Sequence, residues 1–493
     1  MYFCLMASTE TVTISKAEYE EFVHAKNLVL VLQHELAQLK RMIFGAKSER
    51  FIAPLPSQPT LFELPEEEVI EKPKEEITYT RSKPEAKNQP LRLELPAHLP
   101  RKTEVIEPEG LPDGAKKIGE TITEVLEFTP ANVFVRKIVR PKYIVSQDDE
   151  KTQIAIAALP SLPIPKGNAG AGLLAHILVS KFVDHLPFYR QVQMFKRQQL
   201  TIPESTIGGW FNASCRLLEP LYNTLRSRLL ACNYMMADET PIPVQTNDKP
   251  GATHKGYHWV YYDPLARLVL FDYQKTRGRE GPDEILKNFV GHLQTDGYTA
   301  YNNLKNGANI TQMACMAHAR RKFEHAKEND PVLASEALLM FHQLYEIERH
   351  ARDHGLKHDE IGLLRQEKSA PILLEMETWL KDKLNRVLPK SAIGQAIAYT
   401  LTLWPRLVRY IDEGRFSIDN NLIENSIRPV ALGRKNYMFA GSHDAAQQAA
   451  VVYSLLATCK INNVEPFEWL SNTLSEIADY PANQQHKLLP GQN

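Results

Sequence analysis

The stretch that most restricts the fold runs from residue 233 to 323, where strand-like and helix-like segments alternate. In chain order they are a strand at 233–244, a hairpin of 257–262 and 268–273, a helix at 283–290, strands at 292–295 and 310–316, and a helix at 318–323. The hairpin turns at Asp263-Pro264, a dipeptide that favours chain reversal. Strands joined partly by tight turns and partly by helices predict a mixed α/β core.

Three acidic residues lie in segments that would present them at the edge of this core. Asp238 lies on the first strand, Asp296 ends the strand at 292–295, and Glu424 lies on a predicted helix after Asp419-Asn-Asn421. This order of elements, with acids at strand ends, indicates a ribonuclease-H-like layout. Such a cage of carboxylates can hold two Mg²⁺ ions, which clamp the attacking and leaving oxygens of a phosphodiester. The pattern therefore predicts metal-assisted cutting and joining of DNA.

Taken singly, each acid has an ordinary explanation. An Asp after a strand is usually a turn or helix-cap residue, and Glu424 could pair with Arg428 across one helical turn. The neighbouring residues favour a site instead. Gly297 follows the second aspartate and allows the backbone to pass close to a ligand. The cations that follow the third acid and suit phosphates are Arg428, Arg434 and Lys435.

Four short motifs carry a resemblance to a known family. They are Ala237-Asp-Glu-Thr-Pro241, Leu293-Gln-Thr-Asp-Gly-Tyr298, Cys315-Met-Ala-His-Ala-Arg-Arg-Lys-Phe323, and Asp419-Asn-Asn421 with Glu424, Arg428-Pro429 and Gly433-Arg-Lys-Asn436. In this order they resemble the transposases of the insertion-sequence 66 family, and the similarity extends over nearly the whole chain. The resemblance implies that Asp238, Asp296 and Glu424 are a catalytic acidic triad on a ribonuclease-H-like fold.

The resemblance also implies the chemistry and the partners. Asp238 would bridge two Mg²⁺ ions, for which Mn²⁺ could substitute, while Asp296 and Glu424 would each hold one ion. An activated water would cut at the transposon end, and the freed 3′-hydroxyl would attack a phosphodiester of target DNA. The implied partners are DNA of the transposon ends and of the target, further copies of the chain, and accessory proteins of the same element.

Residues 16–44 carry apolar side chains in steps of three and four. They are Phe22, Ala25, Val29, Leu32, Leu36, Leu39 and Ile43. This heptad pattern predicts a short coiled coil that joins copies of the chain, with an amphipathic helix packed on its own protein as the alternative. Residues 45–90 are rich in Pro, Glu, Lys and Ser and predict a flexible linker, which favours the coiled coil.

Residues 91–160 predict a small β unit. Members of the family commonly carry Cys pairs resembling a zinc ribbon here, but this chain has no Cys at 111–115 or 146–150, which argues against a zinc site. Cys315 and His318 form a Cys-x-x-His pair with no second pair to complete a zinc site. We interpret them as residues that pack beside the acids or support them.

Residues 166–230 predict a helical module that binds DNA. Residues 201–211 read as the turn and second helix of a helix-turn-helix, with Pro203 suited to a first helical turn, although a plain helical bundle fits the same pattern. The module holds eight Lys or Arg against three Asp or Glu. Its candidate DNA contacts are Arg190, Lys196 and Arg197.

Composition sets the remaining expectations. The chain has 493 residues and a net charge of −1, and its five scattered Cys never form Cys-x-x-Cys, which indicates a reducing cytoplasm. It lacks a signal-peptide start and any run of the ~20 apolar residues that would span a bilayer, so no membrane is expected. The expected units are a coiled coil at 16–44, a linker at 45–90, a β unit at 91–160, a DNA-binding module at 166–230, a catalytic core at 231–330 and 416–460 around an all-α insertion at 331–415, and a C-terminal segment at 461–493.

Two other functions compete with DNA transposition. A DNA-binding regulator that no longer cuts would be expected to have lost one of the acids, and all three are present. A glycoside hydrolase needs only two carboxylates and leaves the coiled coil, the basic module and Arg434-Lys435 unexplained. We therefore predict a multidomain α+β transposase that acts on the DNA ends of its own element.

Overall fold

The structure, a computed structural model, describes residues 161–491 apart from 166, 168, 247–250 and 306, together with the backbone of two strands before residue 160. Those strands, β1 (Lys142–Asp148) and β2 (Lys151–Ile156), pair antiparallel. They belong to a unit of their own, Lys47–Leu159. The predicted coiled coil at 16–44, the linker at 45–90 and the rest of the β unit at 91–160 lie outside the described residues.

The central element of residues 161–491 is a five-stranded mixed sheet with the strand order β5-β4-β3-β6-β7. Its strands are β3 (Tyr234–Gln245), β4 (Thr253–Asp263), β5 (Leu268–Gln274), β6 (Gly291–Thr295) and β7 (Ile310–Ala314). The first three pair antiparallel, whereas β6 runs parallel to both β3 and β7. The predicted strands and the predicted hairpin are confirmed, with their ends shifted by a few residues.

The turn between β4 and β5 follows from its sequence. Asp263 Oδ1 accepts hydrogen bonds from the backbone N–H groups of Leu265 and Ala266 at 2.9 and 3.0 Å. A carboxylate that binds the backbone two and three residues ahead stabilises a reversal of the chain. Arg267 then adopts a φ of 54° before β5 begins.

Three helices precede the sheet: α1 (Ala171–Phe182), α2 (Phe188–Arg197) and α3 (Glu204–Leu230). Pro203 lies directly before α3, where its missing N–H costs no helical hydrogen bond. The helices predicted in this region are confirmed, but α3 continues over 27 residues, well beyond residue 211. One face of α3 is buried along most of its length, through Ile207, Phe211, Leu218, Leu221, Leu225 and Leu229.

Helix α4 (Glu280–Ile285) is shorter and earlier than the predicted helix at 283–290. Residues 286–288 form a turn instead, and Leu286 and Phe289 are buried against the core. Gly291 then turns the chain into β6 with a φ of 147°, at a point where a Cβ would lie 2.3 Å from the carbonyl oxygen of Asn233. Local helical periodicity does not reveal this approach between segments that are distant in sequence.

After β7 the chain is helical up to residue 411, which confirms the helical character predicted for 331–415. The elements are α5 (Met316–Ala326), α6 (Pro331–Asp353), α7 (His358–Leu364), a π-helical turn (Arg365–Ser369), α8 (Ala370–Leu384), α9 (Ala392–Leu407) and a 3₁₀ turn (Val408–Ile411). Side chains cap two of these helices, because Asp330 and Ser391 accept from Leu333 N and Gly394 N. Three more helices follow: α10 (Asn421–Tyr437), α11 (His443–Ile461) and α12 (Pro466–Glu476).

One hydrophobic core joins α1, α3 and α11 to the sheet. Helix α11 also completes the hydrogen bonding of the edge strand β5. Ser454 Oγ accepts from Phe271 N at 2.8 Å, and Thr458 Oγ1 accepts from Val269 N at 3.2 Å. These bonds cover an edge that would otherwise expose unpaired backbone groups. Buried residues of α1 and α3, within the predicted module at 166–230, thus share a core with the sheet.

Candidate active site

The first two acids meet because β3 and β6 run parallel and in register. Met236 of β3 pairs with Gln294 of β6. Asp238 and Asp296 each follow two residues later, so they lie level at the carboxyl end of β6, where β3 alone continues. Parallel register therefore brings together two acids that sequence spacing leaves far apart.

The backbone around Asp296 is held from both sides. Its Oδ1 accepts from Tyr298 N at 2.8 Å, and its carbonyl oxygen accepts from Tyr399 Oη at 2.9 Å. Gly297 adopts a φ of 89°, and a Cβ there would lie 2.8 Å from Leu403 Cδ1. Both the backbone angle and the close side chain of α9 require glycine at this position. The glycine thus allows a tight backbone passage against α9, and its predicted approach to a ligand stays a prediction.

A buried polar network brings the third acid to the same edge of the sheet. Tyr234 Oη donates to Gln294 Oε1 at 2.6 Å, and Gln294 Nε2 donates to the Ser417 carbonyl at 2.8 Å. Ser417 N donates back to Tyr234 Oη at 2.9 Å. The network ties β3 and β6 to the segment that enters α10, seven residues before Glu424.

Two further bonds fix the start of α10. Met316 N donates to the Ile418 carbonyl at 3.1 Å, and Asn420 N donates to Cys315 Sγ at 3.2 Å. The end of β7 and the start of α5 thus hold the residues before α10. Glu424 lies in the first turn of that helix, which confirms its predicted helical position, and it is partly buried.

Electrostatics link the three predicted acids. Burial raises the pKa of the Asp238 carboxyl well above its ordinary value. The negative charges that raise this pKa further are those of Glu239, Asp296 and Glu424, opposed by the hydrogen bond from Glu239 N at 2.8 Å. Asp238 therefore lies within electrostatic reach of both other predicted acids, in a locally negative site.

The donor set suits a hard divalent cation, although the side chains are spread. Within the described part of the chain, no three His, Cys, Asp or Glu side chains lie close enough as they stand to ligate one ion. Carboxylates of like charge repel one another, which favours separated side chains. Asp238 has no Lys or Arg partner among the described ion pairs, so its charge is suited to a metal cation. The residues that could hold an ion are Asp238, Asp296 and Glu424.

Cys315 and His318 lie beside the acids but do not face a common ligand. The Cys315 thiol is buried, accepts from Asn420 N, and has its pKa raised to about 12 by burial. A neutral thiol is a poor metal ligand. His318 Nε2 lies 3.9 Å from Glu424 Oε1 instead. These contacts agree with the packing and supporting roles expected for the pair.

The structure gives the candidate DNA contacts different surroundings. Arg434 is partly buried, and its Nη1 donates to Thr240 Oγ1 at 3.0 Å and to the Pro241 carbonyl at 2.7 Å. It fastens α10 to β3, a structural task that the sequence did not indicate. The other candidate DNA contacts are exposed: Arg190, Lys196, Arg197, Arg428 and Lys435. Arg190 Nη1 donates to Asn436 Oδ1 at 3.3 Å, which places the start of α2 beside the end of α10.

Sequence reasoning missed an ion pair at the margin of the acidic site. Arg277, in the loop after β5, donates to Glu239 Oε1 through Nε at 2.8 Å and Nη2 at 2.5 Å. Its guanidinium carbon also lies 4.0 Å from the centre of the Tyr298 ring. Glu239 directly follows Asp238, but nothing in the local sequence shows that a residue of another strand's loop reaches it.

The fold and site define an α/β protein with an acidic cluster at the carboxyl edge of its parallel strands. Comparison with known families supplies the identity. The family profile described as "Transposase IS66 family" matches residues 166–448, "IS66 C-terminal element" matches 454–490, and "Transposase C of IS166 homeodomain" matches 31–103. The chain belongs to the IS66 transposase family, which confirms the resemblance seen in its motifs.

Similar proteins of Sinorhizobium fredii extend over nearly the same length. The uncharacterized protein y4jD is 32% identical over 493 residues, covering 94% of each chain. The uncharacterized protein y4qI is 34% identical over 507 residues, covering 98% of this chain and 92% of the relative. The uncharacterized protein YuaK of Escherichia coli is 48% identical over 44 residues, 9% of this chain.

No helix within the described residues has the length and apolar character to cross a membrane.

Proposed function

We propose that the protein is a DNA transposase that binds the ends of its own insertion sequence and catalyses Mg²⁺-dependent strand cleavage and strand transfer. Membership of the IS66 transposase family supports the reaction class. The strand order β5-β4-β3-β6-β7, with three antiparallel strands followed by two parallel ones, supports a ribonuclease-H-like core. The observation that carries the proposal is the level placement of Asp238 and Asp296 by the parallel register of β3 and β6, with the charges of Asp296 and Glu424 both acting on the partly buried Asp238.

The proposed roles follow from position. Asp238 lies on the central strand β3 and interacts electrostatically with both other acids, so it is the residue best placed to share a metal ion with each of them. Asp296 and Glu424 would complete the donor set from β6 and from α10. Divalent ions held there would activate water and stabilise charge on the phosphodiester. The chain's own residues contribute the rigid backbone at Gly297 and the Tyr234–Gln294–Ser417 network, which keep the acids in place.

DNA would follow the exposed cations of α10 and of the start of α2. Arg428 and Lys435 project from α10, and Arg190 is bonded to the end of that helix. Lysine and arginine of this kind bind phosphates and position the duplex. Residues 16–44 would join copies of the chain, as the heptad pattern predicts, and target DNA and accessory proteins of the element would complete the assembly.

The test is strand cleavage by the Asp238→Asn variant on DNA carrying the ends of the element, in Mg²⁺ or Mn²⁺. The substitution keeps the shape of the side chain and removes its charge. Loss of metal-dependent stabilisation worth several kcal/mol should lower the cleavage rate by about 1000-fold or more, with DNA binding retained. The matched control is Asp353→Asn, whose carboxylate is 58% exposed.

Each outcome separates the competing functions. Normal cleavage by Asp238→Asn would refute the assignment of the acids. Wild-type protein that binds the DNA without cutting it in either metal would be a regulator instead. Wild-type protein that neither binds nor cuts would exclude both.

A further inference from the structure

The loop between β5 and α4 carries three cations at the margin of the acidic site: Lys275, Arg277 and Arg279. Two of them differ in what they contact. Arg279 is directed to its own protein, since it pairs with Asp283 at 3.3 Å and donates to the Asn303 carbonyl at 3.0 Å. Arg277 pairs with Glu239 and packs over the Tyr298 ring, and 46% of its side chain remains exposed.

Arg277 is tied to both acid-bearing segments. Its partner Glu239, with a side chain 2% exposed, follows Asp238 on β3. Its guanidinium stacks on Tyr298, whose backbone N–H donates to Asp296 Oδ1. Tyr298 Oη also donates to the Arg277 carbonyl at 3.2 Å. These contacts fix the position of the loop and of the guanidinium relative to Asp238 and Asp296.

A guanidinium has five N–H donors, and the bonds to Glu239 come from Nε and Nη2. In the described residues Nη1 has no hydrogen-bond acceptor. An arginine that its own protein already orients loses little conformational entropy when it binds a further group, and its flat fork matches the oxygens of a phosphate.

We propose that Arg277 binds a backbone phosphate of the DNA strand that enters the acidic site, using the donors that face away from Glu239. This assignment rests on the proposed function, because it requires DNA at Asp238 and Asp296. Glu239 then acts as the residue that positions Arg277, and the contact with the Tyr298 ring helps to hold the orientation of the guanidinium. The alternative is that Arg277 only neutralises the buried Glu239.

A set of variants separates the two roles. Arg277→Gln alone would leave Glu239 buried without a partner, which confuses loss of a phosphate contact with loss of stability. The useful comparison is therefore Glu239→Gln against Glu239→Gln/Arg277→Gln, which differ only in the arginine. Arg267→Asn is the matched control for loss of one positive charge. It lies at the opposite end of the β4–β5 hairpin, and Asn tolerates its φ of 54°.

The measurement is the affinity for a mixed-sequence DNA duplex over a range of salt concentrations, with Ca²⁺ in place of Mg²⁺. We expect Glu239→Gln/Arg277→Gln to bind about tenfold more weakly than Glu239→Gln, with a slope of log affinity against log salt shallower by about one. Arg267→Asn should bind as the wild type does.

Equal affinity and equal slope for the two Glu239 variants would overturn the assignment and leave Arg277 as a neutralising partner. The assignment would also be overturned if Arg267→Asn lost as much affinity as Arg277→Gln does in the Glu239→Gln background. In either case cleavage of element ends by the wild type would still support the proposed function. Absence of both binding and cleavage in the wild type would overturn the proposed function itself.

Discussion

Replacing Gln294 with Leu tests whether a buried network, rather than the acids alone, sets the position of Glu424. Gln294 is fully buried and makes two hydrogen bonds that join β3, β6 and the segment entering α10. Leucine has a similar volume but no polar atoms. The variant leaves the Tyr234 hydroxyl hydrogen and the Ser417 carbonyl without their partners.

The magnitude follows from those two groups. A buried polar group that loses its partner costs about 1–3 kcal/mol. Tyr234 is fully buried and Ser417 only half-buried, so the carbonyl can recover part of its loss from water. We expect the free energy of unfolding to fall by about 3 kcal/mol, and strand cleavage to fall further than DNA binding because the start of α10 shifts.

Urea unfolding, followed by circular dichroism, measures the free energy of unfolding. Cleavage of element ends, at a temperature where the variant is folded, measures the loss of activity. Tyr234→Phe removes the same Tyr–Gln bond, so the double variant should lose less than the sum of the two single losses. Gln395→Leu is the control, because this exposed side chain makes one bond to the Lys390 carbonyl and should cost less than about 0.5 kcal/mol. An unchanged midpoint with normal cleavage in Gln294→Leu would refute the reasoning.

Two further predictions concern stability. Burial lowers the pKa of His258 from 6.5 to about 3, so below pH 6.5 the unfolded chain binds a proton that the folded protein does not. As the pH is lowered from 7.5 to 5, this group should therefore reduce the free energy of unfolding by about 2 kcal/mol. His258→Met should remove that part of the pH dependence measured by urea unfolding. An equal pH dependence in the variant and the wild type would contradict the prediction. Arg365 is 2% exposed and donates to Glu348 and to the carbonyls of Tyr410, Glu413 and Phe416. Arg365→Met should lower the free energy of unfolding by about 3–5 kcal/mol, because it leaves the Glu348 charge without its partner. The control Arg386→Met, at an exposed position, should lower it by less than about 1 kcal/mol. Similar unfolding midpoints for the two variants would show that the buried bonds contribute little.

Much of the secondary structure could be predicted because burial leaves a local signature. Apolar runs such as Leu268 to Tyr273 mark a strand covered on both faces, and Asp263-Pro264 marks the turn before it. The helical insertion and the helix of Glu424 show the same kind of local periodicity. Helix α4 ends earlier than local periodicity predicts, and the chain then brings Gly291 close to Asn233, a contact between distant segments that periodicity does not record.

The roles of single cations could not be predicted by the same means. Arg434 and Lys435 are neighbours in sequence, yet Arg434 is held by Thr240 and Pro241 while Lys435 is exposed. Their difference depends on which side of α10 faces β3. Arg277 carries no local mark of its contact with Glu239, which arises only because the loop after β5 reaches β3 although β4 lies between the two strands.

The sequence by itself determined the family, the order of strands and helices, and the identity of three acids in motifs that keep their local context. Only the tertiary structure placed Asp238 and Asp296 level at one edge of the sheet and tied the segment that enters the helix of Glu424 to the same strands. Local periodicity records whether a side chain faces inward, because neighbouring residues repeat that information every two or four positions. Convergence depends instead on parallel register between Met236 and Gln294 and on bonds such as that from Gln294 to Ser417, which join residues more than a hundred positions apart.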